Sequence, residues 1–345
     1  MKKSWYSVLM CLVCLCGAGS VFAGPQGESA PAAPQTITIK MASLVPENTP
    51  WGAAFNRMAA DWKRITNGEV ELVVYHNGIA GNEADVLRKL KMNQLQAAVL
   101  STLGLNTITP GIMTLSVPFL VRDNTELDLV LNDLKPELEN QISAQGFYTL
   151  AWSKVGWVKF FSKAPVFVPD DLKRQKLGTD ENEPALMDAL KAMGFQLVPV
   201  NMNQVLINLN GGMIDAVYQS PVIAGGLQLF GVAKNMANIN VAPFMGAVVF
   251  NGAAWRSIPE KYKPELIRSA REMEQSFDTS IQALEDEVID TMHRYGLVIN
   301  ELTPAQKQLW YDTSNQIVPS FMGTPVNQAM FRRMETLLKA HRAGR

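Results

Sequence analysis

One feature constrains the fold of this 345-residue chain more than any other. Tyr262, Leu266, Ala270, Met273, Phe277, Ile281, Leu284, Val288, Met292 and Tyr295 recur every three or four positions. That is the period of a single apolar helix face. The stripe is uninterrupted and is opened by Pro259 or Pro264. It predicts a helix of about thirty residues, about 45 Å long at the α-helical rise. Such a helix is longer than one small domain, so it is expected to run along two. Core packing is the expected role of the stripe, with a dimer interface as the alternative.

The preceding chain alternates strand and helix. Thr36–Ala42 alternates as a strand does. Thr49 is placed to cap a helix with Pro50 in its first turn, and Trp51, Phe55, Met58, Trp62 and Ile65 form its apolar face. Gly68 ends that helix, and Glu69–Tyr75 reads as the next strand. Residues 36–75 therefore predict a β-α-β unit with a parallel pair. A helix near Glu83–Met92 and a strand near Ala97–Leu100 repeat the pattern. The Pro-broken, apolar run Thr109–Val121 reads as buried loop and short strand. Thr125–Leu131 and Pro136–Ala144 read as two helices. Further on, Pro221–Val232 reads as a helix, Asn238–Val241 and Ala247–Phe250 as strands, and Pro304–Ile317 and Pro325–Ala340 as terminal helices.

The N-terminus reads as an export signal, with Lys2 and Lys3, the short apolar run Val8–Leu15, and small residues at Val21-Phe22-Ala23. All three cysteines (Cys11, Cys14, Cys16) lie inside it. Cleavage after Ala23 would leave a mature chain without thiols, hence without disulfides, thiolate metal sites or cysteine nucleophiles. The rival reading is a lipid anchor at Cys16, but Leu15 is large where a small residue is expected. Gly24–Pro34 reads as a disordered lead-in. No second apolar run reaches the ~20 residues of a membrane span. Hydrophobic residues make up 47% of the chain and the net charge is −1. The balance predicts a well-cored globular protein without the basic face that nucleic acid requires.

Catalytic signatures are missing. His76, His293 and His341 lie far apart, with no metal-ligand spacing, and there is neither a nucleophile elbow nor a phosphate loop. Asp170-Asp171 and the pair Glu181 and Glu183 read as helix-start charges. Neither an enzyme nor a cofactor is expected. The positive signal is the stretch Ala151–Val222: an aromatic strand to Phe161, the short strand Lys176–Thr179, a helix near Ala185–Met193, the strand Phe195–Val200 and a helix near Asn203–Asn210. It closes with Gly211-Gly-Met-Ile-Asp-Ala-Val-Tyr-Gln-Ser-Pro221. Trp152, Trp157, Tyr218 and Gln219 fall at strand ends, where open α/β sheets bind ligands.

Several segments, in order, resemble the DctP-type solute-binding proteins of TRAP transporters. They are Glu47-Asn-Thr-Pro-Trp51, Gly78-Ile-Ala-Gly-Asn-Glu83, Val117-Pro-Phe-Leu120, Pro165-Val-Phe-Val-Pro-Asp-Asp-Leu-Lys173, Met193-Gly-Phe195 through Asn203-Gln-Val205, and Gly212–Pro221. The resemblance covers Thr36 to Leu338. It implies an α/β, two-lobed periplasmic-binding-protein fold, each lobe a mixed sheet flanked by helices, with the long helix along both. Residues 36–152 and 242–278 would form lobe I, residues 153–241 and 279–320 lobe II, and residues 321–345 a C-terminal helix packed on them. It also implies a periplasmic protein that closes on a small-molecule ligand and delivers it to TRAP membrane permease subunits. An exported sensor signalling to a receptor is the alternative.

Two departures bear on the ligand. The family carries an arginine two residues past a glycine in the first cleft strand, where this chain has Gly156, Trp157 and Val158. A second arginine ends a Lys-x-Arg strand, where this chain has Lys176, Leu177 and Gly178. Lys159, Arg174 and Lys176 are the nearby substitutes, and strand alternation faces Lys159 with Trp157. A bidentate arginine clamp contributes roughly 1.5–3 kcal/mol per charged hydrogen bond. Without it, a small dicarboxylate is a poor fit. The expected ligand is an apolar organic acid or a lipid-like molecule, with methionines such as Met202, Met213 and Met245 adding soft surface. The expected ligand-binding residues are Trp51, Trp152, Trp157, Lys159, Thr179, Tyr218, Gln219, Ser220 and Phe244.

Overall fold

Two long strands tie the architecture together. The structure is a computed structural model that describes residues 36–180, 184–201, 204–323 and 326–344. The export signal with its cysteines, and Glu181, Glu183 and Met202, lie outside the described residues.

The chain opens with β1 (Ile37–Ala42), α1 (Pro50–Ile65) and β2 (Val70–Tyr75), and β1 and β2 are parallel, as a β-α-β unit requires. Thr49 Oγ1 accepts from Gly52 N–H, so the capping residue is the one the sequence predicts. Helix α2 (Glu83–Lys91), β3 (Ala97–Ser101) and α3 (Thr102–Ile108) follow. A short 3₁₀ turn at Ile112–Ser116 stands where a short strand was expected. The expected pair of helices is one helix, α4 (Asn124–Ala144), running through Pro136. Pro136 is exposed, and the buried row Leu127, Val130, Leu134, Leu138 and Ile142 outweighs the one backbone bond that proline removes.

Strand β4 (Phe147–Ser162) leads to α5 (Pro169–Lys173), β5 (Lys176–Asp180), α6 (Pro184–Ala192), β6 (Gln196–Val200), α7 (Val205–Asn210), β7 (Ala216–Gln219) and α8 (Pro221–Gly226). The next two expected strands are one, β8 (Asn235–Asn251), which passes through Pro243. After α9 (Gly252–Ser257) comes the long helix, α10 (Lys263–Arg294), of 32 residues with Pro264 in its first turn. Strand β9 (Val298–Asn300), α11 (Pro304–Ile317) and α12 (Gln328–Ala343) complete the chain.

Among the described residues the strands form one sheet, ordered β2-β1-β3-β8-β4-β7-β5-β6, with β9 on β8. The two long strands are antiparallel neighbours at its centre, and each continues from one end of the sheet to the other. Leu266, Ala270, Met273, Phe277 and Ile281 of α10 share a core with Phe55, Trp62 and Phe250. About three turns further on, Met292 joins a different core with Phe161, Leu209 and Leu229. The stripe thus spans two cores, which is why it needs so many turns.

Candidate functional site

The central pair β4 and β8 is irregular where it changes core. Its register slips between Lys154 and Gly156 and again between Val158 and Phe160. Gly156 has φ +109°, and a Cβ there would lie 2.5 Å from Glu285 Oε2 of α10. Only glycine suits that conformation and that approach. Pro243, opposite Trp157, has no N–H to give the ladder, and a proline inside a sheet belongs beside such bulges. Trp157 N–H donates to Glu285 Oε2 at 3.2 Å, which fastens the long helix to the bulge.

Alternation then separates two cavities. Val158 and Phe160 face a cavity of 320 Å³, and Trp157 and Lys159 face another of 330 Å³.

The first cavity is apolar. Ser101, Thr102 and Leu103 come from the β3–α3 junction, Val241–Phe244 from β8, Leu177, Tyr218 and Gln219 from β5 and β7, and Trp310 and Ile317 from α11. Its floor is aromatic: Phe160 stacks on Trp310 at 5.1 Å between centroids, and Phe119 lies 5.5 Å from Trp310. Trp310 Nε1 donates to Phe167 O at 3.0 Å, satisfying the indole's one polar group. Phe119 holds φ +60°, a costly conformation for a bulky residue, and is kept there by a 2.6 Å bond from its N–H to Val241 O. The polar groups on the wall are largely engaged. Ser101 N–H and Oγ donate to the Glu83 carboxylate at 2.5 and 2.8 Å. Burial pushes the Glu83 carboxyl up from its ordinary value, against the lowering effect of those bonds and of Gly104. Thr102 Oγ1 donates to Met245 O at 3.1 Å and Thr313 Oγ1 to Leu309 O at 2.8 Å. Gln219 Oε1 accepts from Ser220 N–H at 2.9 Å.

The second cavity is polar and lies against α10. Lys159 is 5% exposed, and its ammonium donates to Asn240 Oδ1 at 2.9 Å and Asn238 Oδ1 at 3.3 Å. Asn238 in turn donates to both oxygens of Glu301, at 2.9 and 3.1 Å. Burial lowers the Lys159 pKa, opposed by the nearby Glu285 and Glu301 carboxylates. Burial raises that of Glu285, opposed by Lys159 and by Trp157 N–H. Among the described residues, no group of three or more His, Cys, Asp or Glu is placed to hold a metal ion.

The expected site residues therefore divide. Tyr218, Gln219 and Phe244 line the apolar cavity. Trp157 and Lys159 do face together, but into the polar cavity on the opposite side of the strands. Trp51, Trp152, Thr179 and Ser220 line neither. Trp51 belongs to the inner face of α1 and packs in the core there. Trp152 is buried under α4, with Nε1 donating to Glu139 at 2.9 Å. Thr179 is fully buried in β5 opposite Pro199. Ser220 is fully buried and caps α8, its Oγ accepting from Ile223 N–H.

Neither arginine position supplies a cation. Val158 is a wall of the apolar cavity. A Cβ on Gly178 would lie 2.8 Å from Ile214, among the core residues behind β5. Arg174 is exposed and paired with Asp171 at 2.7 Å, while Lys176 reaches Gly212 O and Asp215. Met213 is exposed and Met245 is core, whereas Met113 lines the cavity. The sequence reading missed Ser101, Thr102, Phe160 and Trp310. For Phe119 the Pro118-Phe119 element was a visible signal. Trp310 had none, since it enters from a helix about 150 residues beyond Phe160.

An open α/β sheet crossed by two long strands, with a cavity beside them and one helix shared by both cores, is the architecture of a two-lobed binding protein. The sequence model of the bacterial extracellular solute-binding protein family 7 (DctP) matches residues 41–324, and the chain belongs to that family. Its relatives include the 2,3-diketo-L-gulonate-binding periplasmic protein of Escherichia coli K12, 25% identical over 74% of this chain and 78% of the relative. The C4-dicarboxylate-binding periplasmic protein of Rhodobacter capsulatus is 22% identical over 89% of this chain and 90% of its own. The TRAP periplasmic solute-binding protein of Sulfurospirillum deleyianum, solved with bound succinate, superposes with a TM-score of 0.78 at 23% identity, over 87% of this chain and 98% of that one. The Ochrobactrum anthropi TRAP protein superposes with a TM-score of 0.80 at 19% identity, over 91% and 98%. These likenesses establish the two-lobed periplasmic-binding fold.

Proposed function

We propose that the chain is the exported solute-binding component of a TRAP-type transporter, which captures a small apolar organic acid or lipid-like ligand and presents it to the membrane permease. The observation that carries this reading is the 320 Å³ apolar cavity at the strand crossing. Pockets of this size and lining suit a mostly hydrocarbon ligand oriented by a few polar groups. Elements from both ends of the sheet wall the cavity, and the bulged pair β4 and β8 is the natural place for them to bend toward each other. Tyr218, Gln219 and Phe244 contact the ligand, with Val158, Phe160 and Trp310 beneath it. Lys159 is a structural residue of the neighbouring polar cavity. Removal of the leader near Ala23 frees the protein into the periplasm.

The test is native mass spectrometry of protein purified from the periplasm, followed by extraction of its ligand and tryptophan-fluorescence titration. An apolar small molecule that rebinds is the expected result. Tight binding of succinate or malate, abolished by Lys159→Ala, would overturn the reading. N-terminal sequencing of the exported protein distinguishes a new terminus at Gly24 from one at Cys16.

A further inference from the structure

The lining of the apolar cavity bears on the charge of what it can hold. Among the described residues that line it, none is acidic or basic. The nearest basic residue along β4, Lys159, faces the other cavity and is held by Asn238 and Asn240.

Hydrogen-bond capacity points the same way. An anion needs donors, and the hydroxyl protons of Ser101, Thr102 and Thr313 already go to Glu83, Met245 O and Leu309 O. Their oxygens remain as acceptors. The Gln219 oxygen is engaged by Ser220 N–H, which leaves its amide N–H groups as neutral donors that serve a carbonyl or hydroxyl oxygen but do not offset a full negative charge. A carboxylate or sulfonate entering this wall would lose its hydration without gaining an ion pair. A hydroxyl or carbonyl loses far less and finds a complement in Gln219 and the free hydroxyl lone pairs.

We infer that the cavity selects an uncharged, hydrocarbon-rich ligand whose polarity is limited to hydroxyl or carbonyl oxygen, and that it rejects the same skeleton carrying an anion. This narrows the proposed function and rests on its assignment of the apolar cavity as the ligand site.

A matched probe pair tests it. N-phenyl-1-naphthylamine is uncharged, and 8-anilinonaphthalene-1-sulfonate is the same ring system with one sulfonate. Fluorescence titration of the wild-type protein should give a Kd at least about tenfold lower for the uncharged probe. Val158→Arg and Leu103→Lys each place a cation on the wall, and each should narrow or reverse that ratio. Leu103 is 36% exposed, so a lysine there is compatible with folding, which thermal melting by circular dichroism verifies. Equal or tighter binding of the sulfonate to the wild type overturns the inference but leaves the apolar cavity as the ligand site. A ratio unmoved in both folded variants also overturns it. Failure of both probes to bind removes the cavity itself and with it the proposed function.

Discussion

The two sides of the β4–β8 pair enclose cavities of nearly equal volume, 320 and 330 Å³, with opposite chemistry. One side is Val158, Phe160 and Val241 against aromatic rings. The other is Lys159, Asn238 and Asn240 against Glu285, Asp286 and Glu301. A strand places neighbouring residues on opposite faces, so a separation of one position in sequence becomes a wall between environments. The difference teaches that a charge close in sequence to an apolar wall can belong to a different cavity. Lys159 sits between two residues of the apolar wall and still belongs to the polar network of Asn238, Asn240 and Glu301.

The comparison breaks most forcefully at Trp310, the ring on which the apolar side rests. It is 1% exposed, stacked on Phe160 and tied to Phe167 O. Trp310→Ala is expected to cost about 3–5 kcal/mol of stability by removing a large buried ring. Urea unfolding of wild type and variant measures the loss. A loss below about 1 kcal/mol would mean that the aromatic floor is not packed as described.

A binding contrast tests the two faces directly. Phe244→Ala should weaken N-phenyl-1-naphthylamine binding by about tenfold or more, on the scale of one aromatic contact. Lys159→Met keeps the length of the side chain and removes its charge on the other face. It should leave the affinity within about threefold, since it lines the polar cavity and not the apolar one. Similar effects from the two variants would show that the cavities act as one site.

Much of this was legible in the sequence. The period of α10 declared a helix too long for one core, and the early β-α-β alternation declared the parallel pair. The crossing strands were legible only in fragments, because Pro243 and the bulges around Gly156 interrupt the alternation that marks a strand, while the energy that carries the chain through them comes from neighbouring strands. Pro136 misled for the same reason, its cost being met by tertiary burial of the row beside it. At the site, Tyr218 and Gln219 could be read from their place at a strand end. Alternation correctly grouped Lys159 with Trp157 but cannot say which face of a sheet is the binding face. Trp310 could not be read at all, because the contact that makes it a floor is formed only in three dimensions.

Titration sharpens the polar side. Burial raises the Glu285 carboxyl above its ordinary value, so protonated Glu285 favours the fold; that contribution is complete below the unfolded value and is lost as pH rises through the folded one. Burial lowers the Lys159 pKa, so its ammonium opposes folding until the pH climbs toward the ordinary lysine range, where the opposition fades. Asp123, Asp286 and Glu301 line the same cavity as these two. Glu285→Gln keeps an acceptor for Trp157 N–H and removes the titration. Its stability relative to wild type should therefore improve as pH rises above the ordinary carboxyl range, as urea melts at a series of pH values would show. Parallel pH profiles for the two proteins would contradict the burial of Glu285.

The smallest expected effect tests a residue on neither side. Ser220 follows Gln219 directly, and its position at the end of β7 suggested a polar contact to ligand. Its Oγ instead accepts from Ile223 N–H at the start of α8, and no solvent reaches it. Ser220→Ala removes that cap and should cost about 1 kcal/mol of stability. Its backbone N–H still engages Gln219 Oε1, so probe affinity should stay within about threefold. The same variant thus reads two quantities that a ligand contact and a helix cap move in opposite proportion. A drop in affinity of about tenfold or more with unchanged stability would return Ser220 to the apolar face and extend that site past the end of the strand.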